Sequence, residues 1–173
     1  MKEARGKIYG HLLLAMVTGI FSLLINAQAQ AALPAGYNFL SYGEAMSQAR
    51  AQKKPVFLYF GRYGCSTCRK MHKEVFSDDQ IKQRYNDHYI LAYVDTESAE
   101  RLTLPNDERI TEMQFASRTR ILGTPTFIFL TPDETPLMKL AGFKSIEKMK
   151  QYDDYIIGGH YGSQTFKQYI GAE

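Results

Sequence analysis

Residues 57–72 read FLYFGRYGCSTCRKMH. An apolar run is followed by a short turn, two cysteines and a pattern typical of a helix. Cys65 and Cys68 are the chain's only cysteines. Three positions apart on a helix, they lie on one face, so their thiols can bond to each other. That spacing suits a reversible disulfide.

The close spacing of the cysteines argues against a purely structural disulfide. In the chain-entropy model, a loop of four residues restricts the unfolded chain by about 2 kcal/mol, against about 5 kcal/mol for a loop of about 100 residues. Redox chemistry instead requires a thiolate, which amides at a helix N-terminus stabilise, and Arg69 and Lys70 add positive charge nearby. We therefore expect Cys65 to be the catalytic nucleophile and Cys68 to resolve the mixed disulfide. A structural disulfide and a metal site are the two alternatives.

Residues 1–29 are predicted to be a cleaved secretory signal peptide. Basic residues precede an apolar run over 12–25, and small residues then alternate, so that cleavage after Ala29 or after Ala31 fits the pattern. A membrane anchor is the alternative, but the run is shorter than the ~20 residues that cross a bilayer. We expect a periplasmic protein, because an oxidising compartment suits a chain whose only cysteines are a redox pair.

Charge and length limit what residues 30–173 can do. The chain has 21 Lys and Arg against 18 Asp and Glu, and removal of residues 1–29 takes away three basic residues and one acidic residue, leaving 18 against 17. A nearly neutral chain without a basic cluster gives no support for a nucleic-acid partner. The length suits one domain over residues 30–173, which we expect to be a monomer without a cofactor.

Apolar periodicity in the first half predicts alternating helices and strands. A strand, a helix and a second strand at this spacing form a right-handed unit with parallel strands. The predicted elements are a helix over 42–53, a strand over 56–60, the cysteine helix, a short helix ending at Tyr85, and a strand over 89–94.

The second half is predicted to begin with a polar loop over 96–107. Asn106 or Asp107 would then cap a helix. This helix would carry Ile110, Met113 and Ala116 on its inner face. The remaining predicted elements are a strand that runs to Leu130 with Pro125 as its first residue or at an irregular edge, a turn over 131–134, an antiparallel strand over 136–141, a helix from Ser145 to Gly158, and a short helix over 164–170.

This order of elements resembles the thioredoxin fold, an α/β fold with a central mixed sheet and helices on both faces. Residues 64–76, GCSTCRKMHKEVF, are similar to exported thioredoxin-related proteins in which Lys-Met and Glu-Val-Phe follow the cysteine pair. Residues 155–161 and 166–170 are similar to the SoxW-type members of that group. The resemblance implies a thiol–disulfide oxidoreductase that exchanges a Cys65–Cys68 disulfide with substrate proteins.

The resemblance also implies which residues contact a partner. Pro125 would be the cis-proline that faces the cysteines, with Thr124 before it. This edge, together with Gly64, would lie against the backbone of the substrate protein. Exported thioredoxins of this kind mostly reduce, which favours a reductant over an oxidase, and a membrane protein would then deliver electrons from the cytosol.

Three features depart from the family pattern. Gly64 replaces the usual tryptophan before the first cysteine, and Ser66-Thr67 replaces the Gly-Pro of the cytosolic reductases. The buried acid six positions before the first cysteine falls on Tyr59. A phenol, with a pKa near 10, is a poor proton acceptor at neutral pH. We therefore expect water or another group to activate Cys68.

His72 supplies an alternative function. It follows Cys68 by four residues, and with both cysteines it could hold Cu(I) or Zn(II), as in a soft-metal (copper) chaperone. We favour a polar helix edge without metal, because the sequence shows no fourth ligand. A non-enzymatic adaptor is a further class, and it would not require the paired thiols.

Overall fold

The computed structural model describes residues 33–171. The predicted signal peptide and both of its cleavage positions lie outside these residues. Within them, no helix is long and apolar enough to cross a membrane. The first half contains α1 (Tyr42–Gln52), β1 (Val56–Gly61), α2 (Ser66–Glu74), α3 (Asp79–His88) and β2 (Ile90–Asp95). The second half contains β3 (Arg101–Thr103), β4 (Arg109–Thr111), α4 (Glu112–Arg118), β5 (Thr126–Leu130), β6 (Pro136–Ala141), α5 (Ile146–Ile157) and α6 (Phe166–Tyr169).

The central sheet is mixed and has four strands in the order β2-β1-β5-β6. β1 and β2 run parallel, β5 runs antiparallel to β1, and β6 runs antiparallel to β5. The parallel pair around the cysteine helix and the hairpin after residue 125 are thus both confirmed. The C-terminal end of β1 leads directly into the cysteine motif.

Alternate residues of β1 face two separate hydrophobic layers. Phe57 and Tyr59 pack in one layer, to which α2, α3 and α5 contribute side chains. Leu58 and Phe60 pack in the other layer, which contains side chains of α1 and α4. Every residue of β1 is buried, which explains its continuous apolar run. Helices cover both faces of the sheet, as predicted.

The prediction of a loop over 96–107 is wrong. β3 falls within this range and pairs with β4 in a two-stranded antiparallel sheet. The side chain of Asn106 accepts a hydrogen bond from the main-chain N–H of Glu108 at 3.2 Å, and Asp107 has a φ of 66°. Both residues therefore form the turn between β3 and β4 and cap no helix. Asn and Asp favour turns as well as helix caps, so local sequence could not separate the two.

The following helix begins later than predicted, at Glu112. Thr111 is its N-cap, and the Thr111 and Gln114 side chains each bond the other residue's main-chain N–H. This reciprocal pair satisfies two donors at the helix start. Ile110 is buried but lies in β4, and the Met113 side chain is 50% exposed where an inward position was predicted. Of the three predicted inward residues, Ala116 is the one that the helix buries.

The C-terminal elements follow the predicted order. The Ser145 side chain caps α5, and the helix ends at Gly158 as expected. A short 3-10 helix at His160–Gly162, which the sequence pattern did not indicate, connects α5 to α6. α3 continues to His88, beyond its predicted end at Tyr85.

Candidate active site

The two cysteines lie at the point where β1 gives way to α2. They form a disulfide with a Cα–Cα distance of 5.2 Å. Cys65 is the N-cap residue of α2, and its sulfur accepts a hydrogen bond from the main-chain N–H of Cys68 at 3.0 Å. Cys65 and Cys68 are 6% and 3% exposed. The pair therefore lies where helix amides point at a sulfur and favour negative charge on it.

Thr124 provides a second set of contacts to Cys65. Its hydroxyl donates to the Cys65 sulfur at 3.3 Å, and its carbonyl oxygen lies 3.5 Å from the same atom. A disulfide sulfur carries no proton, so in the oxidised state the carbonyl contact is not a hydrogen bond. In the reduced state, the hydroxyl and the Cys68 N–H would both donate to a Cys65 thiolate, and such charge-assisted bonds are the stronger kind.

The Thr124–Pro125 peptide bond is cis. Pro125 is buried, and its carbonyl oxygen accepts a hydrogen bond from the main-chain N–H of Gly142 at 2.8 Å. The main-chain N–H of Thr124 makes no hydrogen bond within residues 33–171. β5 begins at Thr126, directly after Pro125, so the hairpin holds this edge against the cysteines.

Gly64 is exposed and has a φ of 73°. An added Cβ would meet no atom within 4 Å, so the glycine serves backbone conformation rather than close packing. Its position leaves the space before Cys65 open. Of the predicted site residues, the structure brings together Cys65, Cys68 and Thr124 by direct contact, with Gly64 and Pro125 adjacent to them in the chain.

The positive charges of α2 are arranged differently from the expectation. The ammonium group of Lys70 lies 4.5 Å from the centre of the Phe143 ring and 3.9 Å from the Glu74 carboxylate. Lys70 is thus engaged with Phe143 and Glu74, and Arg69 is exposed. The donors that contact the Cys65 sulfur are the Cys68 amide and the Thr124 hydroxyl.

An open cleft of about 630 Å³ lies beside Cys65. It includes Cys65 in its lining but not Cys68. Met113 and Leu122, which are 50% and 100% exposed, also line it, and Tyr63 nearby in the chain is 86% exposed. Sequence reasoning missed these residues as site residues, because an apolar side chain carries no local sign that it will remain exposed. The cleft is further lined by Arg62, Gly64, Ser66, Thr67, Thr96, Glu97, Ala116, Ser117, Ile121, Gly123 and Thr124.

His72 is more than a polar helix edge. Its Nε2 atom lies 2.9 Å from the Tyr59 hydroxyl, within hydrogen-bond distance, and the side chain is half-buried. Burial lowers the pKa of His72 and raises the pKa of Tyr59. Among residues 33–171, no group of three or more His, Cys, Asp and Glu side chains is arranged to hold a metal ion. The soft-metal alternative on Cys65, Cys68 and His72 stays a prediction.

Residues 42–157 match the family of the thioredoxin-like domain. The match covers more than half of the chain and spans every element from α1 to α5, including the cysteine pair and the cis-proline edge. The chain therefore belongs to the thioredoxin-like family.

Comparisons with individual proteins agree with this assignment. Thiol:disulfide interchange protein DsbD of Salmonella typhimurium is 31% identical over 117 residues, which are 64% of this chain and 19% of that protein. Disulfide bond reductase DsbH of Chlamydia pneumoniae is 24% identical over 105 residues, 60% of this chain and 61% of that protein. The chain spans 11% to 14% of the length of four other curated relatives that it matches.

A solved thioredoxin from Thermus thermophilus superposes on the chain with a TM-score of 0.61 and 25% identity. The alignment covers 74% of this chain and 94% of that one. The predicted thioredoxin fold is confirmed.

Proposed function

We propose that this protein is a thiol–disulfide oxidoreductase that exchanges its Cys65–Cys68 disulfide with protein partners. One observation carries the proposal: the disulfide lies at the N-terminus of α2, where an amide and the Thr124 hydroxyl donate to the Cys65 sulfur. These donors stabilise a thiolate, the reactive form of cysteine. The names of two relatives, a thiol:disulfide interchange protein and a disulfide bond reductase, support the same chemistry.

The two cysteines have different roles in the proposed reaction. Cys65 lines the open cleft and Cys68 does not, so Cys65 attacks a partner's disulfide and forms a mixed disulfide with one of its sulfurs. The other partner sulfur leaves as a thiolate and takes up a proton. Cys68 then loses its proton and attacks the Cys65 sulfur, which releases the second partner thiolate. The partner is reduced by two electrons, and the cysteine pair is oxidised by two.

The partner's backbone would lie along the edge formed by Gly64, Thr124 and Pro125. The Thr124 N–H supports this assignment, because it bonds to no group in residues 33–171 and offers a main-chain donor beside the reacting sulfur. The Pro125 carbonyl already accepts a hydrogen bond from the Gly142 N–H within the hairpin. Met113 and Leu122 add exposed apolar surface to the same cleft, which suits an unfolded or flexible segment of a substrate protein.

We further propose that the protein is an exported, SoxW-type reductant that works as a monomer in the periplasm. A membrane protein would supply its electrons. The apolar run before residue 26 and the small residues up to Ala31 support export. The mass of the protein recovered from the periplasm tests the cleavage that accompanies export. The mass should correspond to a chain that begins at Gln30 or at Ala32, and a chain that retains residues 1–29 would contradict the proposed cleavage.

Partner trapping tests the reaction and the assignment of roles. Cys68→Ser allows the first attack and blocks the second, so it should accumulate mixed disulfides with substrate proteins. Cys65→Ser is the matched control, and it should trap far less because its remaining thiol is outside the cleft. Equal trapping by the two variants would show that the roles are wrong. Absence of trapping by both, with each variant folded, would contradict disulfide exchange itself.

The direction of exchange requires a separate measurement. Equilibration of the cysteine pair with glutathione buffers gives its reduction potential. A reductant should lie near the thioredoxin and glutaredoxin values, about −270 to −200 mV, whereas a value of about −120 mV marks a strong oxidant. A potential at the oxidant end would refute the reductant assignment and leave the exchange reaction intact.

A further inference from the structure

Tyr59 and His72 form a polar pair within the hydrophobic layer beside α2. The Tyr59 side chain is 1% exposed, and its hydroxyl lies 2.9 Å from Nε2 of His72. The two residues come from different elements, β1 and α2. Phe76 and Phe127 pack against the Tyr59 ring, so the pair is held on several sides. A polar pair in such surroundings is costly unless each group finds a partner.

The histidine lies on the same helix face as the resolving cysteine. Cys68 and His72 are four residues apart in α2, which places their Cβ atoms about 5–6 Å apart on one side of the helix. Cys68 is 3% exposed. Burial disfavours a thiolate, so the second step of exchange needs a group that takes the Cys68 proton. Tyr59 is a poor candidate because burial raises the pKa of its hydroxyl still further.

The imidazole is suited to accept a proton. Burial lowers the pKa of His72 below its usual value of 6.5, so the ring is neutral at pH 7. Nδ1 has no hydrogen-bond partner within residues 33–171. If Nδ1 were buried, it would be an unpaired buried nitrogen, and that range contains no unpaired buried side-chain nitrogen or oxygen. Nδ1 is therefore open to solvent. The roles of Nε2 and the Tyr59 hydroxyl depend on the imidazole tautomer. In the tautomer in which Nε2–H donates to the Tyr59 oxygen, Nδ1 carries the lone pair that accepts a proton.

Aromatic side chains pack against the imidazole. Tyr59 from β1 and Phe76 from α2 pack against the ring. The Tyr93 ring from β2 packs edge-on against the Tyr59 ring. Burial and, to a smaller extent, the carboxylates of Asp95 and Glu112 raise the pKa of Tyr93. At His72, burial is the cause of the lowered pKa.

We propose that His72, oriented by the Tyr59 hydroxyl, accepts the proton of the Cys68 thiol when Cys68 resolves the mixed disulfide. The inference rests on the proposed exchange reaction. Cys68–SH gives its proton to Nδ1, directly or through solvent, and the resulting thiolate attacks the Cys65 sulfur. The bond between Cys65 and the partner breaks, and the partner leaves as a thiolate. The imidazolium then returns its proton to the partner thiolate or to solvent. Tyr59 is a positioning residue in this scheme.

Stopped-flow kinetics with a nitrobenzoate disulfide separates the two steps. The reduced protein releases one coloured thiolate when Cys65 attacks and a second when Cys68 resolves. His72→Asn should slow the second release at least tenfold at pH 7, since general-base catalysis contributes about 10²–10⁴-fold, and leave the first within twofold. Tyr59→Phe should slow the second release less. Lys73→Gln, an exposed neighbour on α2, is the matched control and should change neither step.

The pH profile and chemical rescue distinguish proton transfer from a structural effect. The rate of the second release in the wild type should fall as pH drops through the titration of His72 below 6.5, and this pH dependence should be absent in His72→Asn. Added imidazole should restore the second release in His72→Ala, which a packing defect would not allow. Equal second-step rates in wild type and His72→Asn across this range would overturn the inference, as would equal slowing of both steps. Absence of the first release in the wild type would instead refute the proposed exchange reaction. Should Tyr59→Phe fail to fold, the two His72 variants still decide the question.

Discussion

Asp153 offers a sharp test of how the domain is held together away from the cysteines. Its side chain on α5 is 1% exposed. It accepts hydrogen bonds from the Tyr89 hydroxyl at 2.9 Å, from Arg84 at 2.9 Å and from Nδ1 of His88 at 2.8 Å. Arg84 and His88 belong to α3, and Tyr89 connects α3 to β2, so one carboxylate joins α5 to α3 and to the residue that leads into β2. Because β1 and β2 run parallel, the cluster lies at the opposite end of the sheet from Cys65.

Asp153→Ala should destabilise the domain by about 3–5 kcal/mol, the usual cost of removing one partner of a buried charge pair. Tyr89 is 2% exposed, so its hydroxyl would lose its acceptor without access to water, a cost of about 1–3 kcal/mol by itself. Arg84 and His88 are 36% and 34% exposed, so water replaces part of what they lose. Against a typical total stability of about 5–15 kcal/mol, the loss is large.

Equilibrium unfolding in urea at neutral pH, followed by circular dichroism, measures this effect. Asp154→Ala is the matched control: its carboxylate also pairs with Arg84, at 2.7 Å, but is 49% exposed, so it should cost no more than about 1 kcal/mol. The reduction potential of the cysteine pair should be the same in both variants. If Asp153→Ala lost no more stability than Asp154→Ala, the buried cluster would not stabilise the fold as argued.

Three further predictions concern the neighbourhood of the cysteines. Thr124→Val removes a hydrogen-bond donor to the Cys65 sulfur worth about 1 kcal/mol. The Cys65 thiol pKa should therefore rise by roughly 0.7, and the reduction potential of the cysteine pair should become more negative by about 20 mV. Thr124→Ser is the control, and an unchanged titration of the thiolate absorbance would contradict the contact. Gly61→Ala places a Cβ 2.9 Å from the Tyr93 ring and 3.2 Å from Tyr59, and it should lower the free energy of unfolding in urea by about 1–3 kcal/mol. Gly123→Ala, whose Cβ meets no atom within 4 Å, should be nearly neutral, and equal losses in the two variants would refute the packing argument. Burial lowers the pKa of His72, so the unfolded chain binds more protons than the folded chain below pH 6.5, and the free energy of unfolding should fall as pH drops through that value. His72→Asn should show a shallower fall. Identical slopes of unfolding free energy against pH in the two proteins would place the titration at another group.

Local sequence was sufficient for most of the fold and for the disulfide pair. Continuous apolar residues over 56–60 predicted a buried strand, and helical spacing predicted α1, α2 and α5. The cysteine spacing predicted the disulfide between Cys65 and Cys68, which the structure contains. These features depend on a period or a spacing within one element, and a single segment carries all of that information.

Where one residue type serves two local structures, sequence was ambiguous. Asn106 and Asp107 suit a helix cap and a turn equally, and the packing of β3 against β4 decided for the turn. Met113 suits an inner helix face, but the start of α4 at Glu112 turns it toward the cleft. The choice in each case depends on segments that the local pattern does not contain.

Only the tertiary structure decided the contacts that define the site. Thr124 reaches Cys65 across 59 positions of sequence, and Tyr59 reaches His72 from a different element. Asp153 meets Tyr89 across 64 positions. The polarity of each residue was visible in the sequence, but its partner was not, because a hydrogen bond between distant segments exists only once the sheet order and the helix packing have placed both side chains together.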